Sequence, residues 1–328
     1  MATSGIDRYK SGESYPETKD MKKKLQEDQS NTRVIAEPAK KTKKQFSDRI
    51  DNNIMLTQKE IRNMLTEFNP AEQLHIDDVI QAVGARRSGK SKIVEYMIHK
   101  YLEKNELDAV FLFSKSGAGF KNIPQVARFT DIKVLDQIIQ IQLDVRAHNK
   151  KCHKKDRVKS RICAIIDDFI DSNHNDLKKS KTMVSLATKG RHISNTDKQK
   201  GNGMMVIFIS QSFTAIPPVV RNNTDWTLTS AMANRLERKK LVESYFTLFS
   251  GRMGLSESYR CYDVACNSNP YQFAVINGTC GNKFDYDDYI FTYRAPEEDI
   301  PFQRWAHKDD EDVWQNNEEE IFFWADND

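Results

Sequence analysis

The sequence predicts an α/β fold in which a central, mostly parallel sheet is flanked by helices. Short apolar runs, typical of buried strands, alternate along the chain with helical patterns. A glycine-rich turn also joins the first of these runs directly to a helix. Of the 328 residues, 38% are hydrophobic, which is enough for one large folded domain. No apolar stretch approaches the roughly 18 residues of a membrane span, so we expect none.

The predicted strands are mostly continuous apolar runs, as expected of parallel strands that are covered on both faces. They are DDVIQAV (77–83), DAVFLFS (108–114), RICAIIDDF (161–169), MMVIFISQS (204–212), DWTLTSA (225–231) and YQFAVING (271–278).

Four helices are predicted from apolar residues that recur at three- and four-residue spacing. They span residues 56–68, 92–105, 134–145 and 234–250. The residues expected to face the core are Ile61, Leu65 and Phe68 in the first helix, Ile93, Tyr96, Met97 and Tyr101 in the second, and Leu135, Ile138, Ile139 and Leu143 in the third.

Charge divides the chain into three parts. Residues 1–50 are polar and rich in lysine, which predicts a flexible basic arm. Residues 51–296 form the predicted folded domain. Residues 297–328 form an acidic, aromatic tail with twelve acids against two Lys/Arg, a local charge of −10. Because the whole chain has a net charge of +3, residues 1–296 sum to +13. A basic body favours a polyanionic partner, although both charged regions could serve solubility alone.

The turn GARRSGKS, residues 84–91, fills every fixed position of G-x-x-x-x-G-K-[ST]. Gly84 and Gly89 let the backbone wrap around phosphates, and the following helix adds a positive partial charge. Lys90 would reach the β- and γ-phosphates, and the Ser91 hydroxyl would bind Mg²⁺. The other predicted nucleotide contacts in this loop are Ala85, Arg86, Arg87 and Ser88. The two arginines would add charge there or face a neighbouring subunit.

Two acids end the third predicted strand. Asp167 would hold Mg²⁺ through water, so Ser91 and Asp167 together would form the protein side of the magnesium site. Asp168 follows at once and could act as the general base that polarises the attacking water. Small-molecule kinases do not need such a base, so the pair favours hydrolysis of ATP. Asp168 could instead cap a helix that begins at DFIDSN.

Gln211 stands at the tip of the fourth predicted strand. An amide there can hydrogen-bond the lytic water or the γ-phosphate and report hydrolysis to the rest of the domain. The order of Walker A motif, Walker B motif and glutamine resembles the additional-strand catalytic-acid division of P-loop NTPases. That resemblance implies the sheet order 5-1-4-3-2.

Five motifs occur in order across residues 84–225: GARRSGKS, IIDDF, KGRHISN, VIFISQS and IPPVVRNNTD. Together they resemble the DNA-packaging ATPases of poxviruses and other nucleocytoplasmic large DNA viruses, virophages and polinton-like elements, within the FtsK/HerA superfamily. The resemblance covers about the central half of the chain. Many members of the superfamily place glutamate, one methylene longer, where this chain has Asp168.

The resemblance implies a ring of five or six copies that uses ATP and Mg²⁺ to move double-stranded DNA into a preformed capsid. It implies a capsid or vertex protein as partner, and a location in the host cytoplasm at the viral factory or in the virion. Catalysis is assigned to Lys90, Asp168 and Gln211, with an arginine donated by the neighbouring subunit. Arg191 and Arg221 are the candidates for that arginine; either could instead lie on the surface or contact DNA phosphates.

Basic residues suggest where DNA would bind. Residues 145–161, in the connection before the third predicted strand, hold eight Lys/Arg against one acid, and residues 176–192 add more. Phosphate contacts of this kind bind DNA independently of its sequence. These segments could also be solvated loops. The acidic tail could dock onto a capsid protein or mimic DNA against the basic channel.

Two other functional classes stay open. One is a DNA helicase or DNA pump of the same superfamily. The other is a nucleotide-binding regulator or a small-molecule kinase, which the pairing of Asp168 with Gln211 disfavours.

Overall fold

The computed structural model describes residues 57–115, 119–120, 122–123, 126–167, 182, 184–187, 202–246, 255–280 and 286–297. The predicted basic arm lies outside these residues, as does the acidic tail after Glu297. Asp168 and Arg191 also lie outside them, together with most of residues 176–192.

The described residues form one nine-stranded sheet. Its strands are β1 (Thr66–Glu67), β2 (Val79–Val83), β3 (Ala109–Ser114), β4 (Val126–Phe129), β5 (Ser160–Asp167), β6 (Asn202–Ser210), β7 (Trp226–Thr229), β8 (Gln272–Asn277) and β9 (Ile290–Arg294). Their order across the sheet is β1-β9-β8-β7-β2-β6-β5-β3-β4.

Five neighbouring strands, β7-β2-β6-β5-β3, are all parallel. Numbered in chain order from the strand before the glycine turn, these five strands have the order 5-1-4-3-2, which is the order that the resemblance implies. This confirms the predicted α/β class with a mostly parallel central sheet.

The outer strands complete the sheet on both sides. β4 adds a parallel edge strand to β3, and β8 and β9 add antiparallel strands beyond β7. Because β8 is antiparallel to β7, it begins at the edge where β7 ends, with Thr229 opposite Ala274. β1, β4 and β9 were not predicted from the sequence.

The described helices are α1 (Gln58–Met64), α2 (Pro70–Gln73), α3 (Lys90–Leu102), α4 (Val134–Lys151), α5 (Pro218–Asn222), α6 (Arg235–Tyr245), α7 (Leu255–Asn267) and α8 (Tyr286–Tyr289), with a 3₁₀ turn at Lys154–Asp156. Of these, α7 is the longest that the sequence did not predict. Among the described residues, no helix is long and apolar enough to cross a bilayer.

The predicted first helix ends earlier than expected. A capping box between Thr57 and Glu60 starts α1, but the helix stops at Met64. The backbone N–H of Phe68 donates to the carbonyl of Thr292 at 2.9 Å, as the chain leaves the helix to form β1 beside β9. Phe68 is buried as predicted, but it lies beyond the helix and packs against Trp226.

The core lies on the parallel strands and the inward faces of α3 and α4. Every residue of β2 is buried, including the polar Gln81, whose side-chain amide donates to the Thr227 hydroxyl at 2.6 Å. In α3, Ile93, Met97 and Tyr101 are buried as predicted. Tyr96 is half-buried and stacks on Tyr293, with ring centroids 5.6 Å apart.

The inward face of α4 differs from the prediction. Leu135 and Ile138 are buried, Ile139 is only half-buried, and Leu143 is exposed. The inward positions further along the helix belong to the polar residues Gln142 and Asn149.

Hydrogen bonds explain why amides face inward there. The side-chain amide of Gln142 donates to the hydroxyl of Ser160 at 2.5 Å. Asn149 donates to the Val158 carbonyl and accepts from the Val158 N–H, both at 2.8 Å. Because these bonds pair the amide N–H of Gln142 and both polar atoms of Asn149, α4 can bury polar residues that a periodicity argument assigns to solvent.

Candidate nucleotide-binding site

The glycine turn connects β2 to α3 at the carboxyl edge of the parallel strands. Its first residue is anchored between two strands: the N–H of Gly84 donates to the Ser210 carbonyl on β6 at 3.2 Å, and the N–H of Ser230, after β7, donates to the Val83 carbonyl at 3.0 Å. A Cβ on Gly84 would lie 2.6 Å from Ser88 Oγ and still closer to Ser230 Oγ. Only glycine therefore fits at this position.

Positive φ angles turn the loop into the helix. Gly89, the residue before α3, has φ 89°, and Arg87 has φ 63°. The N–H of Ile93 then donates to the Gly89 carbonyl at 2.9 Å, beginning the helix. The first backbone N–H groups of α3 have no acceptor within the helix, which is the arrangement that binds phosphate oxygens.

Lys90 is folded back over the loop. Its side chain is buried, and Nζ donates to the carbonyl oxygens of Gly84 and Ala85, both at 2.9 Å. Buried lysines are rare because the ammonium group loses its hydration. The fold therefore holds a cation inside the loop at the position that the motif predicts for phosphate binding.

Two buried hydroxyls at the loop have no hydrogen-bond partner: Ser88 Oγ and Ser230 Oγ. They stand beside Gly84, as the close approaches above show. An unpaired buried hydroxyl is costly, and bound phosphate oxygens could satisfy it. The glycine-only cradle, the buried lysine and these hydroxyls fit a triphosphate.

Asp167 is the last residue of β5 and is half-buried. In the sheet it lies opposite Ile209, and Ser210 in turn lies opposite Val83, so Asp167 and the glycine turn share one edge. Two strand spacings, roughly 10 Å, separate β5 from β2.

The predicted magnesium ligands fit the preferences of that ion. Ser91 is the second residue of α3, at the same edge as Asp167. Among the described residues, no group of three or more His, Cys, Asp or Glu could hold a metal ion alone. Mg²⁺ usually binds to one or two protein oxygens, with phosphate oxygens and waters completing its shell, so Ser91 and Asp167 are a suitable pair.

Gln211 follows β6 directly and is exposed, as the sequence predicts. Its loop is held by hydrogen bonds: Ser210 Oγ donates to the Ser212 carbonyl at 2.9 Å, and the Thr214 N–H donates to Glu237 Oε2 at 3.0 Å. The Thr214 hydroxyl also donates to Glu237. Glu237, on α6, therefore positions the loop that carries Gln211.

Sequence reasoning missed Glu237. Its pKa is lowered: although burial favours the neutral acid, hydrogen bonds from Thr214 and from the neighbouring residues of the loop favour the carboxylate. The sequence N-R-L-E suggests only a local cap, and Asn234 does cap α6. The contact with a loop twenty-three residues earlier has no sequence signal.

Arg221 lies on α5, with its guanidinium carbon 4.7 Å from the ring centroid of Phe213. It lines a cavity of about 1250 Å³ together with Gln211 and Tyr245. No residue of the glycine turn is among the described residues that line this cavity. The structure thus brings Arg221 together with Gln211 but not with Lys90.

The basic segment 145–161 is not the simple connection that the sequence suggested. Its first part forms the end of α4, and its last residues begin β5. It lies at the amino edge of the sheet, and because β5 has eight residues, it is roughly 23 Å from Asp167. Among the side chains of this segment that the structure describes, the exposed lysines are Lys150, Lys151, Lys155 and Lys159.

Arg161 is a structural member of that segment. Its guanidinium Nη2 lies 2.6 Å from Asp108 Oδ1, and Nη1 bonds to Glu106. These carboxylates, Asp108 first, raise the pKa of Arg161. Of the eight basic residues counted in the sequence, Arg161 is therefore committed to an ion pair rather than to a DNA phosphate.

The strand order 5-1-4-3-2 and the glycine turn between β2 and α3 together define the fold. This chain has a P-loop NTPase fold. A scan against protein-family models and a search of curated proteins find no match.

Solved structures similar in fold include the genome packaging NTPase B204 from Sulfolobus turreted icosahedral virus 2 in complex with AMPPCP. It is 14% identical, with a TM-score of 0.44, covering 68% of this chain and all of that one. Another is EssC (ATPases 2 and 3) from Geobacillus thermodenitrificans, 16% identical with a TM-score of 0.41, covering 68% of this chain and 41% of that one. A third is the pCW3 conjugation coupling protein TcpA, 13% identical with a TM-score of 0.43, covering 74% and 72%.

Proposed function

We propose that this chain is an ATP-driven motor that moves double-stranded DNA into a preformed viral capsid. One observation carries the ATPase part: Lys90 in its glycine cradle shares an edge of the sheet with Asp167 on β5 and Gln211 after β6. The DNA substrate and the packaging role come from the five motifs that resemble viral packaging ATPases.

The loop would hold the phosphates through its backbone N–H groups and the start of α3. Lys90 would exchange its bonds to the carbonyls of Gly84 and Ala85 for phosphate oxygens. Ser91 and Asp167 would hold Mg²⁺, which neutralises charge on the phosphates when bound. The buried hydroxyl of Ser88 would gain the partner that it lacks.

Hydrolysis needs a base and an oriented water. We assign the base to Asp168, directly after Asp167, and the orientation of the water to Gln211. Glu237 supports this arrangement, because it fixes the loop that begins at Gln211. A side chain held by a rigid loop loses less entropy when it meets the water.

The proposed motor is completed by contacts between subunits. We expect a ring of five or six copies in which a neighbour donates Arg191 or Arg221 to the active site. The place of Arg221 in the cavity with Gln211 supports a link between subunit contacts and hydrolysis. The exposed lysines of segment 145–161 would contact DNA backbone phosphates regardless of sequence.

We further propose that the acidic tail binds a capsid or vertex protein, and that the protein acts in the host cytoplasm at the viral factory or in the virion. The charge of residues 297–328 supports the tail contact, because acids at this density favour a basic protein surface.

The decisive test measures the ATPase rate of the full chain with and without double-stranded DNA, and its mass in the presence of ATP. A motor predicts faster hydrolysis with DNA and a closed oligomer. Hydrolysis by a monomer that ignores DNA would contradict it and favour the regulator or kinase. Separation of the strands of a DNA duplex would instead favour a helicase.

A further inference from the structure

Tyr271 presents an exposed aromatic ring beside the glycine turn. A Cβ built on Gly89 would lie 3.2 Å from Tyr271 Cδ1, so the ring flanks the residue that precedes Lys90. Tyr271 is 60% exposed, whereas the nearby sheet aromatics Phe273 and Tyr293 are buried at 0% and 3%. The location of the ring, exposed and directly beside a loop that fits phosphates, places its face within reach of a ligand bound there.

The backbone of Tyr271 is held in an unfavourable conformation. Its φ is 56°, in the left-handed region that bulky side chains avoid. Nothing in the turn requires a tyrosine there, since glycine would adopt this φ without strain. Strain kept at one position beside a binding loop indicates that the side chain itself serves a purpose.

The turn that carries Tyr271 is fixed by its neighbours. It joins α7 to β8, and the Asn269 side-chain amide donates to Gln272 Oε1 at 2.8 Å. Gln272 in turn donates to the Ala265 carbonyl at 2.6 Å. From the other side, Arg62 on α1 donates to the Ser268 hydroxyl at 3.0 Å. The ring is therefore presented by a rigid support rather than by a free loop.

The position of Tyr271 in the sheet sets which end of a nucleotide it would meet. On one side of β2 lie β6 and β5, which carry Gln211 and Asp167 toward the terminal phosphate. On the other side lie β7 and β8, which carry Ser230 and Tyr271 to the same edge. If the terminal phosphate faces the acid side, the nucleoside end of the ligand leaves toward Tyr271.

We propose that Tyr271 is the surface on which the base of the bound nucleotide stacks. This rests on the proposed function only in requiring that the glycine turn bind a nucleotide. Every base can stack on the face of a phenol ring. The ring would therefore favour binding of nucleotides over inorganic phosphates without selecting one base.

The test compares the binding of Mg²⁺–ATP and of inorganic tripolyphosphate with magnesium, each by calorimetry on the full chain. Tyr271→Ala should weaken ATP binding about tenfold, while Tyr271→Phe should stay within about twofold of the native chain. Tripolyphosphate binding should not change in either variant. Ile141→Ala, which removes a 58%-exposed side chain from α4, is the matched control and should change neither affinity.

A further variant separates binding from folding. Tyr271→Gly removes the ring and relaxes the positive φ, so its melting temperature should be no lower than that of the native chain while its ATP affinity falls. Equal ATP affinity in Tyr271→Ala and the native chain would overturn the stacking role. So would an equal loss of ATP and tripolyphosphate binding, which would make the ring a support for Gly89. If the native chain binds neither ligand, the proposed function itself fails.

Discussion

The two edges of the parallel core differ in what their buried carboxylates and hydroxyls contact. At the amino edge, Asp225 Oδ2 accepts from the Val79 N–H at 2.8 Å. Asp78 Oδ2 accepts from the His75 N–H at 2.8 Å and from the Trp226 indole N–H at 3.0 Å. Each of these carboxylates connects a strand to a turn or to another strand by hydrogen bonds, so the charged groups at this edge stabilise the fold.

At the carboxyl edge, two buried hydroxyls of the glycine turn and its neighbour lack a partner among the residues that the structure describes. Ser88 Oγ and Ser230 Oγ have no hydrogen-bond partner, and Lys90 bonds to carbonyls of its own loop. An unpartnered buried hydroxyl reduces stability, because its desolvation is not repaid. We infer that the unpaired hydroxyls at the carboxyl edge favour ligand binding, whereas the paired carboxylates at the amino edge stabilise the fold.

The largest expected effect tests the carboxyl edge. Lys90→Ala should lower the rate of ATP hydrolysis by at least about 10²–10³-fold, because the loop loses the cation that meets the phosphates. The steady-state ATPase rate measures this. Lys100→Ala removes a lysine from the exposed face of the same helix, where it pairs with Glu103, and should leave the rate unchanged. Similar losses in both variants would mean that Lys90 acts through the stability of α3.

The next effect tests the amino edge. Asp225→Ala leaves the buried N–H of Val79 without its acceptor, so the free energy of unfolding should fall by about 1–3 kcal/mol. Urea denaturation measures this, and the folded variant should still bind ATP normally. Asp144→Ala on the exposed face of α4 is the control and should change stability little. Weaker ATP binding by folded Asp225→Ala would break the contrast between the edges.

The residues at the carboxyl edge can be predicted from the sequence because the patterns that indicate them are local. The strand–turn–helix around residues 84–91 and the apolar runs before Asp167 and Gln211 can each be read within a few residues. The strand order 5-1-4-3-2 could not be read from these local signals; it was implied by the resemblance to the additional-strand catalytic-acid division, and the sheet confirms it.

What sequence reasoning missed depends on contacts between distant residues. β9 is short and pairs antiparallel with β8, and β1 exists only because the two residues Thr66 and Glu67 meet β9. Glu237 and Tyr271 are ordinary surface residue types, and their roles arise only from the loops against which they pack. The inward positions of Gln142 and Asn149 on α4 likewise depend on hydrogen bonds to Ser160 and Val158, which follow the helix in the chain.

A smaller effect concerns the ion pair at the amino edge. Partial burial favours neutral Asp108, but hydrogen bonds and charge from Arg161 outweigh it and hold the pKa of Asp108 below its ordinary 3.8. Because the folded pKa is the lower one, the stabilisation is complete above the unfolded pKa and is lost as the pH falls through the folded value.

Asp108→Asn should therefore lower the free energy of unfolding by about 0.5–1 kcal/mol at pH 7, since the pair is partly exposed. The difference from the native chain should shrink as the pH is lowered below about 4. Denaturant titrations at several pH values measure it. Glu72→Gln, which breaks the more exposed pair with Lys104, should show a smaller change. A difference for Asp108→Asn that does not vary with pH would show that the carboxylate charge is not what stabilises this edge.

The smallest effect tests the contrast most directly, because it predicts opposite signs for stability and binding. Ser88→Ala replaces an unpartnered buried hydroxyl by a methyl-sized side chain, so the free energy of unfolding without nucleotide should rise by about 0.5–1 kcal/mol. ATP affinity should fall severalfold, since the phosphate loses a donor. Ser230→Ala removes the other unpartnered hydroxyl and should show the same gain in stability. If Ser88→Ala instead destabilises the nucleotide-free protein, the Ser88 hydroxyl of the native chain already has a hydrogen-bond partner. The carboxyl edge would then have no unpaired hydroxyl there for a ligand to bind.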